Sequence, residues 1–174
     1  MRNKSIKIVP LNKNHIPALK KILIEHVKDP STNKILWNEA NGIKRYMTGK
    51  RDIYRRKRNY LVAIDNNNEV LGCAAYSALE RKISKEFCIQ PDQSLELLNI
   101  FVSTKLHKKG IGKKLFEEIC KIAKSKGKKL LIVASGLRYK KSWKFYDKVF
   151  DKSIGSIKDK YAIERPAKIW QKTL

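Results

Sequence analysis

An α/β fold is predicted for this 174-residue chain by three observations. Segments with alternating or continuous apolar character take turns with segments whose apolar residues recur every three or four positions, so strands and helices succeed one another. Apolar residues make up 42% of the sequence, ordinary for a packed core and too many for a disordered chain. No internal repeat or interdomain linker is visible, so residues 1–174 are expected to form a single domain. A chain of this length buries roughly 70% of its extended surface on folding, and needs no disulfide or metal to hold it.

Ser5 to Leu11 alternates through Ile6 and Ile8 and reads as a first strand. Asn12 or Asn14 can cap the helix that follows, whose apolar stripe is Ile16, Leu19, Leu23 and Val27. Pro17 suits its first turn, where a missing N–H costs nothing, and Pro30 stops it. A second stripe, Leu36, Ala40, Ile43 and Met47, ends near Gly49. Arg51 to Arg58 holds five basic residues in eight and is expected to be a solvated connection. Tyr60 to Ile64 and Val70 to Tyr76 read as strands joined by the turn formers Asp65-Asn66-Asn67-Asn68.

Residues 77–93 lack clear periodicity, and Pro91 punctuates their end. Leu95 to Val102 is almost wholly apolar, as expected of a strand covered on both faces. A basic loop with two glycines leads into a helical stripe, Ile111, Leu115, Ile119 and Ile122, that Gly127 ends. Leu130 to Ala134 is a short buried strand, and Leu137 to Val149 an aromatic-rich helix. Ser153 to Trp170 has room for two more strands.

The net charge is +24, from 40 basic and 16 acidic residues. A field of this sign attracts polyanions: nucleic acid, anionic membrane or phosphorylated ligands. Biased composition accounts for part of it, since 31 of the 40 are lysines spread along the chain. The distribution is nonetheless uneven, with 15 basic and 3 acidic side chains between residues 105 and 148. Cys73, Cys88 and Cys120 are widely spaced and, with the three histidines, form no metal-ligand spacing. Buried free thiols and no metal site are expected. The N-terminus has no apolar run suited to a signal peptide or a membrane span, so a cytoplasmic protein without a membrane partner is expected.

The chemistry concentrates where the apolar strand ends. Ile100-Phe101-Val102 runs through Ser103 into His107-Lys108-Lys109-Gly110-Ile111-Gly112 and then Lys113-Lys114, a strand, a short basic turn and a helix start. The first turn of a helix leaves N–H groups unpaired and carries partial positive charge. Glycines there let a phosphate approach the backbone, and the lysines add mobile charge. The dinucleotide fingerprint is excluded because Leu115 stands where its third glycine belongs. The P-loop is excluded because Lys113 is followed by Lys114 and the glycines are too close.

This stretch resembles the donor-binding motif of the GNAT acetyltransferase superfamily, Arg/Gln-x-x-Gly-x-Gly/Ala after a strand with an apolar end. Phe145-Tyr146-Asp147-Lys148-Val149-Phe150 is similar to that family's F-Y-x-x-x-G-F segment. The resemblance covers about residues 60–150. Three departures stand out: His107 for Arg or Gln, Tyr139 where Asn is common, and Val149 for the glycine before Phe150. The resemblance implies a mixed, mostly antiparallel sheet flanked by helices, with one splayed strand pair. It implies that acetyl-CoA is the acetyl donor, lying between the strand ending at Val102 and the strand near Leu131. Its pantetheine would pair with the backbone of Ile100, Phe101 and Val102, and its pyrophosphate would lie on His107, Lys108, Lys109, Gly110, Ile111, Gly112 and Lys113. Direct attack by an amine is implied, without a covalent enzyme intermediate.

Tyr146 matches the family tyrosine that protonates the departing sulfur; a phenol stays protonated at neutral pH. The other reading is a core aromatic. Glu96 is the only acid in its apolar strand and stands where some family members place a general base. The other reading is a strand-end carboxylate facing water, and base action through ordered water or a backbone carbonyl is a further alternative. Ser103 and Thr104 offer hydroxyls to phosphate or serve the turn, while Trp143 and Phe145 read as core. An N-acetyltransferase acting on a small amine, as monomer or homodimer, is the leading reading. A nonspecific nucleic-acid module is favoured by charge only, with no base-reading signature, and a CoA-binding regulator would be expected to have lost Tyr146 or Glu96. Residues 29–58 carry nine basic and three acidic side chains, so no acidic cradle for a polycationic acceptor is visible. An amine bearing a carboxylate or phosphate fits that surrounding.

Overall fold

The computed structural model describes residues 5–174. Seven strands lie in the order β1-β2-β3-β4-β5-β7-β6. β4 and β5 run parallel, while β1–β2, β2–β3, β5–β7 and β6–β7 pair antiparallel. The chain falls into two compact units, one made of the described residues up to Tyr76 with Asn99–Glu118, the other of Ser77–Leu98 with Ile119–Leu174. Among the described residues no helix is long and apolar enough to cross a membrane.

In the first unit, β1 (Lys7–Pro10) leads through a 3-10 turn into α1 (Ile16–His26). Asn12, not Asn14, is the cap, and it belongs to the 3-10 turn: its Oδ1 accepts from the Asn14 amide at 2.9 Å, and His15 returns a contact to the Asn12 amide. Leu19, Leu23 and Val27 of the expected stripe are buried, and Ile22 joins them. α2 (Trp37–Met47) buries Ala40, Ile43 and Met47 as its spacing requires. β2 (Asn59–Ile64) and β3 (Val70–Ala78) form the expected hairpin. Its turn is built on Asp65, which is 1% exposed and accepts from the amides of Asn67 and Glu69 at 2.9 and 3.0 Å.

The basic run 51–58 departs from the expectation of a solvated connection. Asp52 lies within it and is 6% exposed. Its Oδ1 accepts the amides of Tyr54 and Arg56, both at 2.9 Å, while Oδ2 takes Arg56 Nε and Nη2, both at 3.0 Å. One carboxylate thus organises the turn, and a count of charges along the chain cannot show which of them fold together.

The second unit holds α3 (Arg81–Glu86), the start of β4 (Ser94–Val102), the end of α4 (Ile111–Ser125), β5 (Leu130–Gly136), α5 (Trp143–Val149), β6 (Lys152–Ala162) and β7 (Arg165–Thr173). Residues 77–93 showed no periodicity because α3 is too short to express one. The expected helix from Leu137 is divided: Leu137–Ser142 is a 3-10 segment kinked at Tyr139, and α5 starts only at Trp143. The tail supplies both expected strands. Its core joins Leu79, Ile83 and Ile89 to Ile132, Ile157, Ala167 and Ile169. The thiol expectation is corrected: Cys73 is buried, Cys120 half-buried and Cys88 exposed.

β4 pairs with β5 only from Ser94 to Leu97, opposite Leu130 to Val133, and then runs on to Val102. On its other side, β3 comes close at Gly72. A Cβ built there would lie 2.5 Å from the Phe101 carbonyl oxygen and 3.0 Å from Val102 Cα, both backbone atoms that cannot swing aside. Gly72→Ala is therefore expected to destabilise the fold by about 1–3 kcal/mol, read as a lower urea midpoint. An unchanged midpoint would show that β3 and β4 part there without cost.

Candidate donor-binding and catalytic site

β4 ends under restraint. The Val102 carbonyl faces two imidazoles, His26 Nε2 at 2.8 Å and His107 Nε2 at 3.2 Å. A carbonyl oxygen only accepts, so both rings present Nε2–H to it. The two rings are 5.7 Å apart, and His26 also packs on Phe101 at 5.6 Å. Burial, chiefly, holds the His26 pKa below 6.5, and the His107 ring beside it acts in the same direction. The Ser103 amide donates to Leu71 O at 3.0 Å, and the Thr104 amide to the Glu25 carboxylate at 2.7 Å. The last residues of α1 therefore brace the start of the loop.

Beyond this brace the backbone turns twice into the left-handed region, at Lys108 (φ +65°) and Gly110 (φ +77°). Glycine adopts that conformation freely and lysine does so at a cost, so Lys108 marks a stored strain. A Cβ on Gly110 would meet nothing within 4 Å, so the residue is required for its φ angle and not for lack of space. α4 then begins at Ile111 with no acidic residue in its first turn. Helix N-termini favour carboxylates, yet this one is flanked by exposed Lys108, Lys109, Lys113 and Lys114. Among its own first-turn residues no carboxylate offsets that positive charge. Gly112 lies in the first turn, and Ile111 anchors the helix in the core at 2% exposure.

Glu96 and Tyr146 belong to the second unit. Glu96 is 3% exposed, and its Oε2 accepts the Glu80 amide at 2.9 Å. Glu80 is itself buried, and its carboxylate pairs with the buried Lys160 ammonium on β6. The strand-end reading of Glu96 as a carboxylate facing water is thereby corrected. Tyr146 packs on Trp170 with ring centres 5.3 Å apart, and burial pushes its pKa up to about 12, the Ser142 side chain acting weakly the other way. A group so shifted keeps its proton throughout the neutral range. Trp143, read as core, donates to Ser135 Oγ at 3.2 Å and is capped by the Lys168 ammonium.

The sequence-predicted residues thus fall into two groups. Ile100 to Val102 and His107 to Lys113 form one continuous strand, loop and helix start, with Val102 and His107 in contact. His107, expected to reach phosphate, has its ring turned back on β4, so it contributes its backbone to the loop and its side chain to the loop's support. Glu25, His26, Glu80 and Lys160 escaped the sequence reading. They act on residues between 16 and 80 positions away, and no local pattern encodes such partners.

The sequence profile of the Acetyltransferase (GNAT) family matches residues 23–151. The fold is similar to solved structures across nearly the whole chain. A GNAT-family protein from Desulfovibrio desulfuricans aligns with TM-score 0.74 at 13% identity, covering 97% of this chain and 99% of its own. A GNAT-family acetyltransferase from Staphylococcus aureus Mu50 gives 0.68 at 15% identity, covering 98% and 99%. A GNAT-family acetyltransferase from Elizabethkingia anophelis, with acetyl-CoA bound, gives 0.64 at 23% identity, covering 97% and 98%. No curated protein matches the sequence. With three quarters of its length under one family profile, this chain belongs to the GNAT acetyltransferases, whose donor is acetyl-CoA.

Proposed function

We propose that residues 1–174 work as one N-acetyltransferase domain that moves the acetyl group of acetyl-CoA to a primary amine of a small molecule. The observation that carries this reading is the loop from His107 to Gly112, with its two left-handed residues, its acid-free helix start and its four flanking lysines. The pyrophosphate would lie on the N–H groups of this loop, and the pantetheine would pair with the β4 backbone from Ile100 to Val102.

The amine nitrogen attacks the thioester carbonyl carbon directly. As the C–N bond forms, the attacking nitrogen gives up a proton, which Glu96 receives directly or through water. The C–S bond then breaks, and the CoA sulfur leaves with the Tyr146 proton. Tyr146 suits this role because burial keeps it neutral until about pH 12, so it remains an acid wherever the amine is free base. Positive surroundings would lower an acceptor amine's pKa and enlarge its neutral fraction.

Three outcomes are expected. Gly112→Glu places a carboxylate where the pyrophosphate approaches, so CoA binding should vanish in calorimetry; a folded variant with wild-type affinity would refute the loop assignment. Tyr146→Phe should lower turnover about 10²- to 10⁴-fold, the range of general acid catalysis, while CoA affinity stays nearly intact. An equal loss of both would return Tyr146 to a packing role. Glu96→Gln should slow the reaction at neutral pH and recover in part as pH rises, because more amine is then already deprotonated. A flat pH response would assign the proton to ordered water.

A further inference from the structure

We infer that the acceptor carries a carboxylate close to its amine, as an amino acid does, and that Arg58 is the residue that reads it. This rests on the acetyltransferase reading above. Arg58 stands immediately before β2, and its side chain is only 15% exposed. Its guanidinium lies over the Tyr46 ring of α2 at 4.0 Å, and its Nη1 donates to Asn99 Oδ1 on β4 at 3.2 Å. Its guanidinium also lies close enough to the Tyr60 hydroxyl to lower that phenol's pKa through a side-chain hydrogen bond. Its ion pair with Asp52 spans 3.8 Å, beyond hydrogen-bond reach, because the Asp52 oxygens are already taken by Arg56 and two amides.

A guanidinium has five N–H donors in a rigid fork. Among the described residues, Asn99 takes one of those on Arg58, and the other neighbours are the Tyr60 hydroxyl and the Asp52 carboxylate at 3.8 Å. Its Nε is fully buried, as is the Tyr60 hydroxyl, and neither atom makes a hydrogen bond of good geometry among the described residues. The two groups adjoin: burial raises the Tyr60 pKa, and the charge of Arg58 opposes the rise. The phenol therefore stays protonated and able to donate. Leaving buried polar groups unpaired is costly. A cation held only to close the turn would not need them, since Arg56 already neutralises Asp52.

A carboxylate answers this geometry. Its two oxygens match a guanidinium edge, with the Asn99 amide beside it. Phosphate, by contrast, usually collects several cations or a row of amides, which the loop at 107–112 offers and Arg58 does not. Position also favours an acceptor role. Asn99 directly precedes Ile100, the first of the strand residues proposed to hold pantetheine, and the pyrophosphate loop lies beyond Val102 at the other end. Strand residues are spaced about 3.3 Å apart, so Asn99 and Arg58 stand at the thioester end of the donor. An acceptor with its carboxylate on Arg58 and its amine at the thioester has few atoms between them.

The test is release of CoA thiol from acetyl-CoA with the twenty amino acids and with their α-amides, alongside calorimetry of CoA. The wild-type protein should acetylate some amino acids with kcat/KM at least about tenfold above their amides, as loss of a charged hydrogen-bonded contact implies. Arg58→Met should erase that preference by raising KM for the acid, with CoA affinity unchanged. Tyr60→Phe, nearly isosteric, should raise the same KM a few-fold and guards against misfolding of the first variant. Equal use of acids and amides, a preference that survives in Arg58→Met, or CoA binding with no amino acid acetylated would each overturn the assignment. Wild-type protein that fails to bind CoA would instead overturn the acetyltransferase reading itself, and with it this one.

Discussion

The loop from His107 to Gly112 depends on how β4 is made to end, and that ending is set by the last turn of α1. His26 and His107 both donate to the Val102 carbonyl, and Glu25 takes the Thr104 amide. These contacts consume backbone groups that would otherwise extend the strand, and they aim the chain into the turn where Lys108 and Gly110 adopt positive φ. A strained loop persists only where its surroundings over-determine it. Without the brace, Lys108 would be free to leave its positive φ.

Charge is handled in opposite ways in the two units. In the second, carboxylates are buried: Glu96 rests on the Glu80 amide, and Glu80 is held by Lys160. Removing one partner of a buried pair typically costs 3–5 kcal/mol, so Lys160 fixes the segment whose amide orients Glu96. In the first, guanidiniums are drawn inward around Asp52.

The exposed lysines are of a different kind. Lys113 pairs with Glu117 at 3.7 Å on a solvated helix face, where such pairs contribute little. On the proposed donor site, the lysines would supply a screened, long-range attraction and not a fixed contact. In that proposal the net charge of +24 would gather the donor, while geometry at the loop would decide where it rests.

Much of this protein was determined by local sequence. The helical stripes, the Asp65 turn, the long apolar β4 and the glycine-lysine helix start follow from periodicity, turn chemistry and backbone freedom, all of which act within a few residues. The strand, loop and helix start around residues 100–113 were legible for that reason. Tertiary structure alone decided what these groups touch. It turned the His107 ring onto Val102, set Glu80 and Lys160 behind Glu96, drew Arg56 and Arg58 to Asp52, and laid Arg58 over Tyr46 with a hydrogen bond to Asn99. Each of these is a pairing made by buried polar groups that must find partners once water is excluded, and the partner available depends on which segments the sheet brings together.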